Sequence, residues 1–287
     1  MLQRLTANRL ACLLMAGLVS TLAPAQKAPD VENIVQEAMA GDHRSEAHRA
    51  RDDARHPAES LAFMGWRPDM TVVEVWPSRG WYTEILAPIT RENGIFYAAN
   101  FAPTADRTPG WRKRQHKRYM EKLERRPAVY NHVVATPLAI PERTTIAPPG
   151  SADMVLTFRN VHDWMQAGYA PAMFDAMARA LRPGGVLGVV EHRAPPGTSV
   201  AQMKATGYVT ERHVVALAQS AGLSLEARSE INANPRDDHD HPAGVWTLPP
   251  TLRHCGQVLD NMRRDCKARY RAIGESDRMT LRFRKTP

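Results

Sequence analysis

Short apolar runs rich in β-branched residues recur along the chain and are separated mostly by segments with helical spacing. Seven of these runs are predicted to be strands: residues 71–75, 94–99, 129–135, 154–158, 186–190, 223–231 and 279–283. Strands that alternate with helices form βαβ units. The pattern therefore predicts a mostly parallel sheet that is covered by helices on both faces.

Two helices can be predicted in more detail from the spacing of their apolar residues. In residues 171–181, Met173 and Met177 fall on one face, and the RPGG turn at 182–185 ends the helix before the next strand. Thr210 is predicted to cap the second helix, because a threonine hydroxyl accepts a hydrogen bond from a free main-chain N–H at a helix start.

The first 25 residues differ from the rest of the chain. Arg4 and Arg9 precede a short apolar run at 10–19, and Ala23-Pro24-Ala25 supplies small residues before a cleavage point. A membrane anchor is the alternative, but the run is shorter than the roughly 20 residues that span a bilayer. We therefore predict a signal peptide that is cleaved after Ala25, a periplasmic or secreted protein, and no stable membrane insertion after cleavage.

The rest of the chain is predicted to form one α/β domain with two additions. Residues 26–56 form an N-terminal helical segment, with a helix at 31–39. Residues 57–287 form the α/β domain itself, and no internal repeat or long linker divides them. An insertion rich in proline and histidine, at 232–276, precedes the last strand.

The formal net charge of +8 arises mainly from one segment. Residues 111–126 carry eight Lys or Arg against two Glu, a density that suits phosphates or an anionic membrane surface. The alternative, which we favour, is a solvated helix with Trp111, Tyr119 and Leu123 turned inward. The sequence has no basic and aromatic platform typical of single-strand binders, so no nucleic-acid partner is predicted.

Two cysteines remain after the predicted cleavage, Cys255 and Cys266, and an oxidising compartment permits a disulfide between them. In one continuous helix, eleven residues would separate them by about 16 Å. This distance exceeds the limit of about 7 Å between the Cα atoms of a disulfide. Either the helix is broken or the thiols are free, and we favour free, semi-buried thiols.

Several motifs resemble those of the class I S-adenosylmethionine-dependent methyltransferases: VVEV at 72–75 with Gly80 in the next turn, LRPGG at 181–185, AGL at 221–223 and RMTLRF at 278–283. Three longer motifs are similar to a group of predicted exported bacterial methyltransferases: RNVHDW at 159–164, GVWTLPP at 244–250 and IGESDRMTLRF at 273–283. The resemblance implies an α/β fold, a Rossmann-like three-layer sandwich with a mostly parallel seven-stranded sheet whose last strand is antiparallel.

The same resemblance places S-adenosyl-L-methionine at the turn after the first strand. In the parent family this strand ends in an acid followed by Gly-x-Gly-x-Gly, and the glycines let main-chain N–H groups approach the cofactor. Glu74 has the acid position, Trp76 and Ser78 replace the first two glycines, and Gly80 keeps the third. The Trp76 side chain is expected either to block the methionine end of the pocket or to form one of its walls.

Two amides complete the predicted cofactor site. Asn100 stands where the second strand of the family usually ends in an acid that holds the ribose. An amide has one acceptor oxygen and no charge, so it should hold the ribose less tightly than a carboxylate does. Asn160, which follows the predicted strand at 154–158, is assigned to the same site.

Two loops carry the candidate catalytic groups. In open α/β sheets, ligands bind beyond the carboxyl ends of the strands, which is where RNVHDW and Glu191-His192-Arg193 are expected. His162 is predicted to act as a general base, oriented by Asp163 or Glu191. The alternative is that Asn160 and His162 bind loop main chain while Trp164 packs on a neighbouring helix.

The acidic and histidine-rich run at 237–241 is a candidate metal site, because His and carboxylate groups suit zinc or manganese. Adjacent residues of an extended loop point in different directions, so we favour a solvated turn and predict no metal.

Two functions remain open from the sequence. The first is an S-adenosylmethionine-dependent methyltransferase, with a small-molecule acceptor favoured over a macromolecule. The second is an exported binding protein that keeps the fold without catalysis, because the cofactor turn is altered and the cofactor is made in the cytoplasm. A different reaction on another small ligand is a third possibility, since fold does not fix function.

Overall fold

A computed structural model of the chain describes residues 30–106 and 108–286. The predicted signal peptide, residues 1–25, lies outside the described residues. Seven strands form one sheet with the order β3-β2-β1-β4-β5-β7-β6. The strands are β1 Thr71–Val75, β2 Ile95–Phe101, β3 Val134–Leu138, β4 Ala152–Phe158, β5 Leu181–His192, β6 Leu223–Ser229 and β7 Arg278–Lys285.

The first five strands are parallel to one another, and β7 lies antiparallel between β5 and β6. The predicted fold class, a Rossmann-like three-layer sandwich with an antiparallel last strand, is confirmed. In this order β1 and β4 are central neighbours although they are far apart in sequence. The connections therefore diverge on either side of them, and this point of an open sheet is where ligands bind.

Eleven α-helices are described: α1 Val31–Met39, α2 Glu46–Arg49, α3 Pro57–Met64, α4 Thr83–Thr90, α5 Gly110–Arg125, α6 Pro127–Tyr130, α7 Val161–Ala167, α8 Ala170–Ala180, α9 Val200–Thr206, α10 Glu211–Ser220 and α11 Arg263–Ile273. The Thr210 hydroxyl accepts a hydrogen bond from the His213 N–H, which confirms the predicted cap of α10. None of these helices is long and apolar enough to cross a lipid bilayer.

The apolar core is divided by the sheet into two parts. On one face, residues of α1, α3, α4 and α5 pack against alternate side chains of the strands, with Leu61, Trp66 and Leu86 fully buried. On the other face, residues of α7, α8, α9 and α10 do the same, with Trp164 and Phe174 at the centre. Alternate strand residues face opposite sides, so each central strand contributes to both parts.

The third strand was predicted at 129–135, and this position is wrong. Pro127 instead starts the short helix α6, and the strand runs from Val134 to Leu138. A proline at the first helical position is favourable because its missing N–H has no partner there in any case. Pro137 lies inside β3, which the sheet tolerates because β3 is an edge strand.

Cys255 and Cys266 form a disulfide with a Cα separation of 5.6 Å, so the favoured prediction of free thiols is wrong. The chain is not one helix here. Cys255 lies in a 3-10 turn, His254–Gly256, and α11 begins only at Arg263. The break lets the chain fold back on itself, which a continuous helix would prevent.

The basic helix α5 buries Tyr119 and Leu123 as predicted, but the expectation that Trp111 turns inward is wrong. The Trp111 side chain is about half exposed, at 49%. It lies at the first turn of α5, beyond the edge of the sheet, where its ring meets Phe101 edge-on at a centroid distance of 6.1 Å.

Candidate active site

The turn that follows β1 has the main-chain conformation of a glycine loop. Trp76, Ser78 and Gly80 have φ values of 50°, 58° and 74°, all in the left-handed region. Glycine reaches this region freely, whereas other L-residues are strained there. The sequence has replaced two of the three glycines, but the turn keeps the shape that glycines would give it.

Helix α5 holds this turn from one side. The Gln115 amide donates to the Ser78 hydroxyl, and the Lys122 ammonium donates to the carbonyls of Arg79 and Gly80 at 2.9 and 3.2 Å. At Gly80 a Cβ would lie 3.1 Å from the Tyr119 ring, so a larger residue would press on α5. The basic helix therefore has a structural role beside the turn.

Glu74 is buried beneath this turn and does not point into open space. Its carboxylate accepts a hydrogen bond of 2.6 Å from the Thr83 hydroxyl, which lies 3.1 Å from the Tyr119 hydroxyl. Burial raises the pKa of Glu74 to about 7, against the opposing effects of Thr83 and Lys122. Glu74 thus fixes the start of α4 against the strand.

Trp76 is almost fully buried, with 6% of its surface exposed. Its ring packs on Phe101 at a centroid distance of 4.7 Å and meets Trp164 and Tyr169 edge-on at 5.9 and 6.1 Å. The Arg112 guanidinium lies over the Trp76 ring at 4.2 Å and donates a 2.7 Å hydrogen bond to the Tyr169 hydroxyl. Trp76 thus forms the floor of a small aromatic cluster that Arg112 covers.

Several buried N–H donors at this end of the sheet have no acceptor among the described residues. They are the indole nitrogens of Trp76 and Trp164, Nε of Arg112, and the side-chain amide nitrogen of Asn100. The Asn100 oxygen accepts a hydrogen bond from the Phe101 N–H. Buried donors are normally paired, so this concentration of unpaired donors indicates a place for a ligand that brings acceptors.

His162 lies at the N-terminal end of α7 and is paired with Glu191, the residue next to the end of β5. The distance from His162 Nδ1 to Glu191 Oε1 is 2.9 Å, and both side chains are buried. The second Glu191 oxygen accepts a 2.6 Å hydrogen bond from the Val161 N–H. When His162 is neutral, the carboxylate holds the proton on Nδ1 and leaves Nε2 as the basic nitrogen.

Burial works against the protonation of His162, but the Glu191 carboxylate outweighs it and raises the pKa of His162. Asp163 contributes less, because its nearest oxygen lies 3.8 Å from Nε2 and the side chain is partly exposed. Of the two acids proposed to orient His162, Glu191 is therefore the one that contacts Nδ1. Asp163 lies on the other side of the ring, where Nε2 is.

His192 lies next to His162, with ring centroids 5.0 Å apart, and its Nδ1 contacts the Ser276 hydroxyl. Burial and the nearby positive groups hold the pKa of His192 well below its usual range. His162, Glu191 and His192 offer ligand atoms within 4.8 Å of one another. The Glu191 carboxylate, however, already accepts hydrogen bonds from His162, Val161 and His192.

Asn160 does not point away from the sheet. Its amide nitrogen donates to the Val75 carbonyl at 2.9 Å and to the Thr157 hydroxyl at 3.1 Å, so it ties the end of β4 to the end of β1. Trp164 packs edge-on against Phe174 of α8. For these two residues the structure matches the alternative in which the loop residues support the main chain and the neighbouring helix.

The acidic run at 237–241 is organised around Asp237. Its carboxylate accepts hydrogen bonds from the Tyr208 hydroxyl, the His239 and Asp277 N–H groups, and the His241 ring. Asp237, Asp238 and His241 also offer ligand atoms within 4.8 Å of one another. Because the protein itself supplies hydrogen-bond donors to Asp237, these contacts explain the loop as a turn with a structural role.

Sequence reasoning missed two features at this edge of the sheet. Arg112 of α5 and Tyr169, which precedes α8, cover Trp76, and no motif connects them. A group of arginines lies next to His192 and includes Arg55, Arg159 and Arg278. The RARDDAR run at 49–55 indicates a group of arginines, but nothing in the sequence shows which residues these arginines contact.

Comparison with models of protein families gives no match for this sequence, and comparison with curated proteins gives none either. Solved structures do match. One is described as a sarcosine dimethylglycine methyltransferase from Galdieria sulphuraria, at 15% identity over 83% of this chain and 85% of that chain, with a TM-score of 0.53. Another is the (4+2)-cyclase SpnF, at 13% identity over 90% of this chain and 98% of that chain, with a TM-score of 0.56.

This chain has the class I methyltransferase fold. At such low identity the likeness establishes the fold and not the reaction, and one of these two similar structures is a cyclase. The function must therefore be inferred from the residues at the carboxyl edge of the sheet.

Proposed function

We propose that this protein is an S-adenosylmethionine-dependent methyltransferase that acts on a small-molecule acceptor. The turn after β1 carries the proposal, because Trp76 and Ser78 hold the left-handed conformation that the family gives to glycine. Each such residue costs on the order of 1 kcal/mol, and strain of this kind is concentrated at functional sites. We infer that the turn keeps this strained shape because it accommodates a ligand.

The residues at this end of the sheet offer hydrogen-bond donors that suit the acceptor atoms of the cofactor. The main chain of the turn and the Asn100 amide would hold it, and the unpaired indole N–H groups of Trp76 and Trp164 would meet its acceptors. As packed, Arg112 lies on the Trp76 face that a ligand would use. We infer that Arg112 leaves this face when a ligand binds and that Trp76 then forms a wall of the pocket.

The bound cofactor supplies an electrophilic methyl group on a sulfonium. The chain itself contributes a base, since His162 Nε2 can take a proton from an acceptor oxygen or nitrogen while Glu191 stabilises the resulting imidazolium. Because the pKa of His162 is raised, the neutral form that acts as a base is lost as the pH falls through that value. Positioning of the acceptor supplies most of the remaining acceleration.

The second candidate, a binding protein that has lost catalysis, is favoured by one observation. Arg112, Tyr169 and Phe101 pack on Trp76 so closely that the cluster is a complete small core without a ligand. If this packing is permanent, the left-handed turn is an inherited shape and the pocket is filled.

Calorimetric titration with S-adenosylmethionine and with S-adenosylhomocysteine separates the two candidates. We expect both to bind, Asn100→Asp to tighten binding because a carboxylate accepts charge-assisted bonds from the ribose hydroxyls, and Trp76→Gly to change it. Absence of heat at millimolar ligand for the wild type and for Trp76→Gly would overturn the methyltransferase. If only Trp76→Gly binds, the pocket is present and is filled in the natural protein.

We also propose that the protein is exported, on the strength of the basic, apolar and small-residue pattern of residues 1–25. A fusion of residues 1–40 to a reporter that is active only outside the cytoplasm tests this. The matched control replaces Leu13 and Leu14 with arginine, which breaks the apolar run. Reporter activity that is equal in the two fusions, or absent from both, would contradict export.

A further inference from the structure

Four arginines surround one carboxylate at the carboxyl edge of the sheet, beside His192. The carboxylate is that of Glu275. It accepts from Arg51 Nε at 2.6 Å, from Arg55 Nε at 3.3 Å and from Arg278 Nη1 at 3.2 Å, and Arg159 Nη1 lies 3.9 Å away. We call these five residues the arginine cluster.

Glu275 alone does not balance the positive charge of the arginine cluster, and Glu191 and Asp277 act on Arg159 and Arg278 only from a greater distance. The side chains of Arg55 and Arg278 are each only 4% exposed, and that of Glu275 is 7% exposed. Burial and the neighbouring arginines hold the pKa of Arg55 well below its usual range, and the pKa of Arg159 falls to about 10. Buried charge of one sign is costly unless an opposite charge is supplied.

Several guanidinium donors in the cluster are unused. Nη2 of Arg51 and Nη2 of Arg55 are buried and have no acceptor among the described residues. The Arg159 side chain contacts the cluster only through its 3.9 Å ion pair, and its main chain is held in the left-handed region at φ 59°. Arg55, Arg159 and Arg278 line a small cavity of about 10 Å³ together with Tyr82, Phe158, Val190 and Asn232, whereas Arg51 does not line it.

A salt bridge between the N-terminal segment and the last strand accounts for part of this arrangement. Glu275 joins Arg51 and Arg55 to Arg278. Such a salt bridge needs only two or three of the four arginines. The salt bridge does not account for Arg159, or for the unpaired Nη2 groups of Arg51 and Arg55. A second anion would satisfy both.

We propose that the arginine cluster binds the carboxylate group of a small molecule. Two guanidinium groups can hold a carboxylate through paired parallel hydrogen bonds. The cavity has room for about one water-sized group, so a carboxylate would enter it with one of its two oxygens.

The position of the cluster makes this molecule a candidate acceptor, an assignment that rests on the proposed function. Ser276 follows Glu275 and contacts His192, whose ring lies 5.0 Å from that of His162. Arg159 directly follows β4, and Arg278 begins β7. A carboxylate held by the cluster would leave the rest of its molecule close to His162.

The test uses acetate, inorganic phosphate and chloride as probes at equal ionic strength, without S-adenosylmethionine. Thermal unfolding monitored by fluorescence gives the affinity of each anion from the rise in Tm with concentration. We expect acetate to stabilise the protein more than phosphate or chloride does. Equal effects of acetate and chloride would overturn the site, and a larger effect of phosphate would overturn the carboxylate assignment.

Arg159→Gln removes one donor group and keeps the fold, because the Arg159 side chain makes no hydrogen bond within the described residues. We expect this variant to weaken acetate binding by about tenfold. Arg118→Gln, an exposed residue of α5 with the same change of charge, is the matched control and should bind acetate as the wild type does. Identical acetate affinities for the two variants would contradict the proposal.

Titration with S-adenosylmethionine in the same samples separates this inference from the proposed function. Binding of the cofactor without acetate binding would remove the anion site alone. Acetate binding without cofactor binding would leave the anion site and remove the methyltransferase.

Discussion

Removal of the Arg112 side chain should tighten the binding of S-adenosylmethionine. In the structure, Arg112 covers one face of the Trp76 ring, and under the proposed function this is the face that the cofactor would contact. The ligand must therefore displace Arg112, and the free energy of that displacement is subtracted from its affinity. Arg112→Ala removes this cost, whereas Tyr169→Phe removes only the hydrogen bond and keeps the ring.

The size of the effect follows from two contacts. The guanidinium stacks on Trp76 at 4.2 Å, which contributes about 1 kcal/mol at a partly exposed site. Its 2.7 Å hydrogen bond to the Tyr169 hydroxyl contributes about 1.5 kcal/mol. Arg112→Ala should then tighten binding by up to about 70-fold, and Tyr169→Phe by about tenfold.

Calorimetry measures the affinities, and urea denaturation measures the stability that the same contacts provide. We expect Arg112→Ala to lower the free energy of unfolding by about 2.5 kcal/mol in the absence of ligand. Arg118→Ala, on the same helix and exposed, controls for the loss of a charge. If Arg112→Ala binds no more tightly than Arg118→Ala, Arg112 does not compete with the ligand; weaker binding would mean that Arg112 helps to hold it.

Three further perturbations test other parts of the structure. The pKa of Glu275 is lowered to about 2, since the surrounding arginines outweigh burial, so its contribution is present above pH 4.5 and lost as the pH falls towards 2. The unfolding free energies of wild type and Glu275→Gln should thus differ by about 3 kcal/mol at pH 6 and converge near pH 2; a difference that does not depend on pH would refute this. Glu191→Gln should lower the pKa of His162 in an NMR titration and shift the acidic limb of any methyl-transfer rate to lower pH, and an unmoved histidine would show that Glu191 does not set it. Reduction of the disulfide between Cys255 and Cys266 should cost about 3 kcal/mol of stability, measured by denaturation with and without reductant, and no change would mean that the loop is constrained by other contacts.

The central strands could be predicted from the sequence because they are buried on both faces and appear as continuous apolar runs. Thr71–Val75 was predicted with its observed bounds, and the antiparallel last strand followed from the family resemblance. The edge strand β3 could not be placed in this way. With fewer neighbours its side chains are only partly buried, so its pattern is weak and the apolar residues of α6 were taken as its start.

The site was less predictable than the fold. Glu74, Trp76, Ser78 and Gly80 were assigned to the turn through the family resemblance, and the positive φ values of Trp76, Ser78 and Gly80 agree with a glycine-like turn there. Partners distant in sequence could not be derived in the same way. Glu191 was one of two acids proposed for His162, and only the parallel register of β4 and β5 places it against Nδ1.

The arginine cluster also determines when the site can form during synthesis. Arg51 and Glu275 are 224 residues apart, and β7, which follows Glu275, must enter the sheet between two strands that were made earlier. Contacts between such distant residues form late, because the chain between them must first be ordered. The arginine cluster therefore cannot be assembled until the last strand has been made, and a growing chain carries Arg51, Arg55 and Arg159 before the Glu275 carboxylate that holds them together.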